Sequence, residues 1–358
     1  MSTETIHPLE QLDLLDIAPV STKWQKHARQ HIDQLTKPPG SLGRVEELAE
    51  RIVSIQQTEA PSLDGKAVYV FAADHGVVEE GVSAYPSDVT SQMVANFLHG
   101  GAAINAFCRA AGADVVVVDI GVAAELPPHR QMVAAKIRHG SRNLRREAAM
   151  TQEETMRALR VGYDLAAQAK QDARGALAIG EMGIGNTTPA SAVAAALLNC
   201  PAAEVTGPGT GLSNDKLLHK QQVIDQALLH HRSELHSPFD ILRCLGGYEI
   251  AGMAGMVLGA AAHRLPIVID GVISTSAVAL AYAVCPTVRD YLFAGHVGSE
   301  PAHRRLLDYI GLRPILDLEL RLGEGTGAAL AFPILQAAVQ MYRDMATFSS
   351  AGVSGSLQ

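Results

Sequence analysis

The sequence predicts an α/β fold: a mostly parallel, doubly wound sheet flanked by helices, with a small helical subdomain drawn from both termini. Three observations predict it. Short β-branched runs recur along the chain, each followed by glycine and then by helical periodicity. Strands that alternate with helices assemble into a parallel sheet whose ligands bind beyond the carboxyl ends of the strands. The 358 residues are 47% hydrophobic and 18% charged, ample apolar material for a large core. Finally, the two ends of the chain read as helix alone.

Residues before about 60 carry no strand signal. Within them, 44–57 place Val45, Leu48, Ile52 and Ile55 on one helical face. Strands are predicted at 67–72, 114–120, 176–179, 266–269, 291–293 and 314–318 from their valine-, isoleucine- and leucine-rich runs. Residues 88–110 read as one helix. Residues 152–170 read as another, opened by a capping box of Thr151 with Glu154. Residues 328–347 are helical again, with a kink expected at Pro333, and 349–358 reads as a flexible tail. The expected organisation is a helical part at 1–60, a large α/β domain at 61–327, and a closing helical segment at 328–358 that completes the small subdomain.

The balance of 29 basic against 37 acidic residues gives −8, aromatic content is 4% and no basic run occurs, so nucleic acid is not an expected partner. Cys108, Cys200, Cys244 and Cys285 are widely spaced without a C-x-x-C pair. That argues against a zinc site or a disulfide framework and for a reducing compartment. No metal and no cofactor is expected. Residues 1–9 lack an apolar signal-peptide region. The longest apolar stretch, 250–262, stops at His263-Arg264, short of the roughly 20 residues a bilayer requires. A cytoplasmic protein is expected.

Function reads best from Leu322-Gly323-Glu324-Gly325-Thr326-Gly327. One ionisable side chain stands between glycines, so its carboxylate can approach a ligand unobstructed while backbone N–H groups face the same ligand. Residues 323–328 formally match the dinucleotide fingerprint G-x-G-x-x-A. That reading fails, because Glu324 would sit against a pyrophosphate and a terminal helix follows in place of a strand with a ribose-binding acid.

Gly180-Glu181-Met182-Gly183-Ile184-Gly185-Asn186-Thr187-Thr188 follows a strand and opens a helix. Amides and the helix dipole at such a turn suit phosphate or carboxylate. Gly207-Pro208-Gly209-Thr210-Gly211 is a second glycine loop, ahead of a helix bearing His219 and Lys220. It lacks G-x-x-x-x-G-K-[ST] and is no nucleotide-triphosphate loop. Lys220 is placed either to reach a phosphate held by this loop or to lie on the surface. Asp74-His75 suggests a structural or ligand-positioning pair, His230-His231 a helix surface, and Asp270 and His296 either rim or turn residues. Asp119 stands alone at its strand end, where enzymes using a ribose-diphosphate donor carry two adjacent acids, so a magnesium-diphosphate donor is not expected. These motifs describe an enzyme that binds phosphate and pairs it with glutamate chemistry.

Together with Lys37-Pro38-Pro39-Gly40-Ser41-Leu42-Gly43, Ala72-Ala73-Asp74-His75-Gly76-Val77, Gly246-Gly247-Tyr248-Glu249-Ile250, 270–274 and 295–303, these stretches run in one order across nearly the whole chain. In that set the chain resembles the nicotinate-nucleotide–dimethylbenzimidazole phosphoribosyltransferases of cobalamin biosynthesis. The resemblance implies a large domain with a Rossmann-like parallel sheet, a small helical domain from both termini, and a homodimer. It implies transfer of phosphoribose from nicotinate mononucleotide to 5,6-dimethylbenzimidazole, giving α-ribazole 5′-phosphate and nicotinate. The family's general-base role carries over to Glu324, with further catalytic or binding roles at Glu181 and Lys220.

For that reaction nicotinate leaves as a neutral pyridine and needs no general acid, whereas the benzimidazole must lose one proton to one base. Gly183, Gly185, Asn186, Thr187, Gly209, Thr210, Gly211 and Lys220 are expected at the 5′-phosphate, and Glu181 beside the positive ribose. Tyr85, Ser87 and Gln92 are expected along the flat base pocket, with Leu322 and Gly323 as further substrate contacts. Two alternatives stay open: the same chemistry on benzimidazole, adenine or a phenol, and a non-catalytic nicotinate-nucleotide sensor.

Overall fold

The computed structural model describes residues 17–354, Thr210 excepted. Helix α1 (Thr22–Gln34) starts behind Ser21, whose hydroxyl accepts the Trp24 N–H, and buries Ala28 and Ile32. Helix α2 (Arg44–Gln56) turns Leu48, Ile52 and Ile55 inward, the face its spacing predicts. Six strands then form one sheet: β1 (Ala67–Ala73), β2 (Asp114–Gly121), β3 (Met132–Ala134), β4 (Leu177–Met182), β5 (Ile267–Ile269) and β6 (Leu292–Ala294). Their order is β3-β2-β1-β4-β5-β6 and every neighbouring pair is parallel. This is the Rossmann-like arrangement expected from the alternation of strands and helices. The chain builds outward from β1 on one side, then restarts at β4 on the other. That reversal leaves a crevice beyond the carboxyl ends of β1 and β4, the place where such sheets bind ligands.

The expected helix at 88–110 is two: α3 (Asp88–Leu98) and α4 (Ala103–Ala111). Gly100-Gly101 breaks it, since glycine is a poor helix former, and Asn105 ties the corner by accepting the Ala102 N–H and donating to the Phe97 carbonyl. Helix α5 (Gln152–Gln171) has its capping box, with Thr151 accepting the Glu154 N–H. It is followed by α6 (Thr187–Leu198), α7 (Asn214–His230), α8 (Pro238–Leu245) and α9 (Tyr248–Ala262). The apolar run at 250–262 is this interior helix, buried from Tyr248 to Ala261 and packed against α5 and the sheet. No helix among the described residues is long and apolar enough to cross a membrane.

Helices α10 (Val272–Val284), α11 (Pro301–Ile310), α12 (Thr326–Asp344) and α13 (Phe348–Ala351) complete the chain. The predicted strand at 314–318 does not join the main sheet. It supplies β8 (Leu316–Asp317), paired with β7 (His296–Val297) in a separate two-stranded ribbon. β3 and β7 were not expected, because two or three residues are too few to show a period. Helix α12 continues through Pro333. Its far end meets the N-terminal helices, where His31 Nε2 lies 2.9 Å from the Tyr342 carbonyl and the Thr36 N–H reaches Ala346. Part of the expected tail is ordered: Thr347 caps α13 by accepting the Ser350 N–H. Residues 355–358 and the N-terminal residues 1–16 lie outside the described part.

His230-His231 is not simply helix surface. His231 caps the end of α7 and is buried, with Nε2 donating to the Leu144 carbonyl at 2.9 Å and Nδ1 3.3 Å from Glu234. With Cys244 these groups place three ligand-type atoms within 4.8 Å of one another. Arg243, however, already holds Glu234 at 2.9 Å, and burial pushes the Cys244 thiol up to about 11. A cation beside a protonated thiol makes a hydrogen-bonded helix junction, not a metal centre.

Candidate active site

Strand β4 delivers Glu181 to the crevice, and the chain then turns through Gly183-Ile184-Gly185 into α6. Facing it, Gly323, Glu324 and Gly325 run into α12 with φ of +90°, +63° and +88°. Left-handed backbone is free for glycine, but a glutamate held there is strained by about 1–3 kcal/mol and persists only where its surroundings over-determine it. Two features do so. A Cβ at Gly180 would overlap the Glu324 carbonyl, so β4 and the loop touch backbone to backbone. The buried Asp270 carboxylate, just beyond β5, accepts the N–H groups of Gly325 (3.0 Å), Gly327 (2.7 Å) and Ala328 (3.2 Å). Bonds of this charge-assisted kind are each worth about 1.5–3 kcal/mol, enough to outweigh the strain.

Both glutamates line one cleft of about 460 Å³. Glu181 is 6% exposed and takes a hydrogen bond from the Asn186 side-chain amide. Burial pushes its carboxyl up to about 8. The Asn186 bond opposes this, and the negative fields of Asp270, Glu249 and Glu324 add to it. Glu324 accepts the Ile104 N–H at 3.4 Å. Burial raises its proton affinity above the ordinary carboxylate range, the Ile104 bond opposes, and Asp270 adds to the rise. Burial thus favours the protonated form of both carboxyls, and a positively charged ligand in the cleft would favour their ionised form.

A stability prediction follows for Glu181. Its carboxyl titrates at the ordinary 4.5 when unfolded and at about 8 when folded, so the folded state binds this proton more tightly. Stability from this group is complete below about pH 4.5 and is lost as pH rises toward 8. Glu181→Gln should remove that slope. Calorimetry at pH 5 and pH 8 should show a larger fall in Tm for wild type than for the variant. Parallel curves would contradict the assignment.

Behind the cleft wall, Lys220 is fully buried and its Nζ donates to Oγ1 of the cleft-lining Thr187 at 2.7 Å. Of the two placements open from the sequence, the surface one is excluded. Burial pulls its ammonium down to about 8, with Glu300 opposing. An anion bound beside it would restore its full charge. Glu300 also accepts the Gly209 N–H at 2.9 Å, so this loop amide is engaged by a carboxylate of the protein itself.

Of the residues expected from sequence, Glu324, Glu181, Gly183, Asn186, Thr187, Gly209, Tyr85, Leu322 and Gly323 line this single cleft. Gly185 borders a small adjoining recess. The Asn186 amide, expected on substrate, is instead turned to Glu181. Gly211 is exposed and Thr210 lies outside the described residues. Gln92 is exposed on α3 and Ser87 half-buried at its start. The cavity wall there is made by Val89 and Met93, one turn apart on the inward face. Asp74-His75 is structural in geometry: His75 is buried 2.8 Å from Glu249, and although burial works against its charge, the Glu249 carboxylate outweighs that and raises its proton affinity.

Three contributors were not singled out from sequence. Asp270 read only as a rim or turn residue. Glu300 lay within the matching stretch 295–303 but was given no role of its own. His303 lines the cleft on α11, and burial holds it down to about 3, a neutral imidazole whose Nδ1 accepts the Gly298 N–H at 2.8 Å. Its proton is therefore on Nε2.

A family model described as Phosphoribosyltransferase matches residues 17–353. A nicotinate-nucleotide–dimethylbenzimidazole phosphoribosyltransferase of Chlorobaculum tepidum is 49% identical over 342 residues, covering 96% of this chain and 97% of its own length. One of the same name from Pelodictyon phaeoclathratiforme is 50% identical over 347 residues, covering 96% and 98%. The solved structure of CobT from Thermus thermophilus superposes with a TM-score of 0.89 at 49% identity, covering 93% of this chain and 99% of that one. Matches of this extent, on a chain whose cleft brings together the glutamates and glycine loops described above, place the protein in the nicotinate-nucleotide–dimethylbenzimidazole phosphoribosyltransferase family.

Proposed function

We propose that the protein transfers phosphoribose from nicotinate mononucleotide to 5,6-dimethylbenzimidazole, giving α-ribazole 5′-phosphate and nicotinate for the lower nucleotide of cobalamin. The observation that carries this reading is Glu324 held in left-handed backbone against Glu181, in one cleft whose wall includes Thr187, the residue bonded by the buried Lys220. One benzimidazole nitrogen attacks C1′ of the ribose from the face opposite nicotinate. The C1′–N bond to nicotinate breaks, its electron pair returns to the pyridine nitrogen, and the β-linkage becomes α. The proton on the other benzimidazole nitrogen passes to Glu324, whose burial raises its affinity for that proton.

Glu181 faces the charge that develops on the sugar. Burial by itself favours its protonated form, and the pyridinium of the bound nucleotide supplies the positive partner that lets it ionise. Lys220, Thr187 and the amides at the start of α6 fix the 5′-phosphate and thereby the sugar's orientation. Val89, Met93 and Tyr85 offer the apolar wall for a flat base.

Lys220→Ala should raise the KM for the nucleotide about 10–100-fold, the worth of a charge-assisted contact to phosphate, with a smaller change in kcat. An unchanged KM would remove Lys220 from the phosphate site. The function as a whole is tested by nicotinate release with a panel of acceptors: benzimidazoles, adenine and phenols. Release with 5,6-dimethylbenzimidazole supports the reading. Tight nucleotide binding with no release under any acceptor would leave a sensor instead.

The same reading carries a cytoplasmic homodimer whose helical ends, 1–60 and 328–358, form one unit beside the α/β body of 61–327. The four unpaired cysteines support the reducing compartment, and the contact of His31 with Tyr342 supports the joining of the ends. Sedimentation of the purified protein tests the dimer.

A further inference from the structure

We infer that Asp270 is a positioning residue for the reaction, holding Glu324 in place through three main-chain bonds and supplying the negative field in which Glu324 works as a base. The inference rests on Glu324 being that base. Helix α12 has no side-chain cap of its own, and its N-cap position is Gly325. Asp270 serves as the cap from 55 residues earlier in the chain, just past a different strand of the fold. One of its oxygens accepts from Gly327 and Ala328, the other from Gly325. Gly325 directly follows Glu324, so the carboxylate grips the residue that sets where the Glu324 side chain emerges.

Three donors spread over two oxygens suit a carboxylate. An asparagine would keep one acceptor atom and turn an N–H toward the Gly325 N–H. The dipole of the 19-residue helix α12 adds to the attraction for a negative group at this end. The groups facing this cluster are His296 on β7, whose Nδ1 lies 3.6 Å from Asp270, Glu181 on β4, Glu324 itself, and Glu249 of α9 paired to His75. Asp270 is also the charged neighbour that adds to the proton affinity of Glu324, after burial.

The test is steady-state kinetics of Asp270→Asn and Asp270→Ala across pH, with folding monitored by circular dichroism. The asparagine variant, keeping the bonds to Gly327 and Ala328, should lose about 10-fold in kcat. The alanine variant should lose about 10²-fold, the scale of a base misplaced by roughly 1 Å. Removing a negative neighbour lets Glu324 lose its proton more readily, so the acidic limb of the asparagine variant's kcat profile should move to lower pH. A role confined to folding would leave that limb where it is. Wild-type kcat in folded Asp270→Asn, or an acidic limb unmoved or shifted upward, overturns the inference. Should neither variant fold, amide exchange in the wild type decides: slow exchange at Gly325, Gly327 and Ala328 supports it, and fast exchange overturns it. Glu324→Gln, measured alongside, separates the two layers. Retained turnover there removes the base itself, whereas an inactive Glu324→Gln beside an unaltered Asp270→Asn removes only the part assigned to Asp270.

Discussion

Glu324→Gln is expected to bind both substrates with KM values close to wild type while kcat falls about 10²-fold or more. Glutamine is nearly isosteric, so it places no new bulk against Ile104 or β4 and can keep an acceptor for the Ile104 N–H. The backbone strain at φ +63° is the same for both residues, so folding should change little. What disappears is the ability to take a proton. The benzimidazole can still reach C1′, but the cation formed on attack has no base beside it, and the barrier rises by the worth of one acid–base contribution. Single-turnover measurement of nicotinate release is the direct readout. Near-wild-type turnover in a folded variant would transfer the base role elsewhere, with Glu181 the next carboxylate in the cleft.

A comparably large effect is expected from Gly180→Ala, although this residue touches no substrate. Its Cβ would overlap the carbonyl oxygen and carbon of Glu324 and the nitrogen of Gly325. These are backbone atoms, and the Gly325 nitrogen among them is held by Asp270, so they cannot swing aside as a side-chain tip could. Either β4 or the Glu324 loop must move. Overpacking of this kind costs about 1–3 kcal/mol of stability, and displacing the base by about 1 Å lowers turnover about 10²-fold. Thermal melting and kcat should fall together, with the KM for the nucleotide less affected because Thr187 and Lys220 sit on α6 and α7, outside the contact of β4 with the Glu324 loop. A Gly180→Ala protein with unaltered Tm and kcat would show that the close contact of β4 with the loop is dispensable.

Much of the fold was legible locally. The valine-rich runs at 67–72 and 114–120 became β1 and β2 almost residue for residue, and the Thr151–Glu154 box opened α5 where it was placed. The errors have local causes too. Residues 88–110 carry a continuous helical period, and only the Gly100-Gly101 pair hints that the chain turns there. The strand at 314–318 was visible as a strand, but not as the partner of β7, because pairing is a long-range property. In the site, glycine-flanked glutamates announced Glu181 and Glu324. Lys220 was ambiguous, since nothing in its neighbours tells a helix surface from a helix interior. Gln92 was expected at the cleft, but it is exposed on α3 and the wall there is made by Val89 and Met93. Ligand pockets are lined mostly by apolar side chains, and local sequence does not show which face of a helix turns inward.

The sequence by itself determined the alternation of strands and helices, the parallel sheet this implies, and the two acidic residues set among glycines, because those signals lie within a few neighbouring residues. Only the tertiary structure decided that Asp270 caps α12 from beyond another strand, that Lys220 is buried under a glycine loop, and that Glu181 and Glu324 hold their protons more tightly than free carboxylates. Proton affinity and capping partner depend on which distant segments exclude water and place charge beside a group. No stretch of sequence contains that information until the chain has folded.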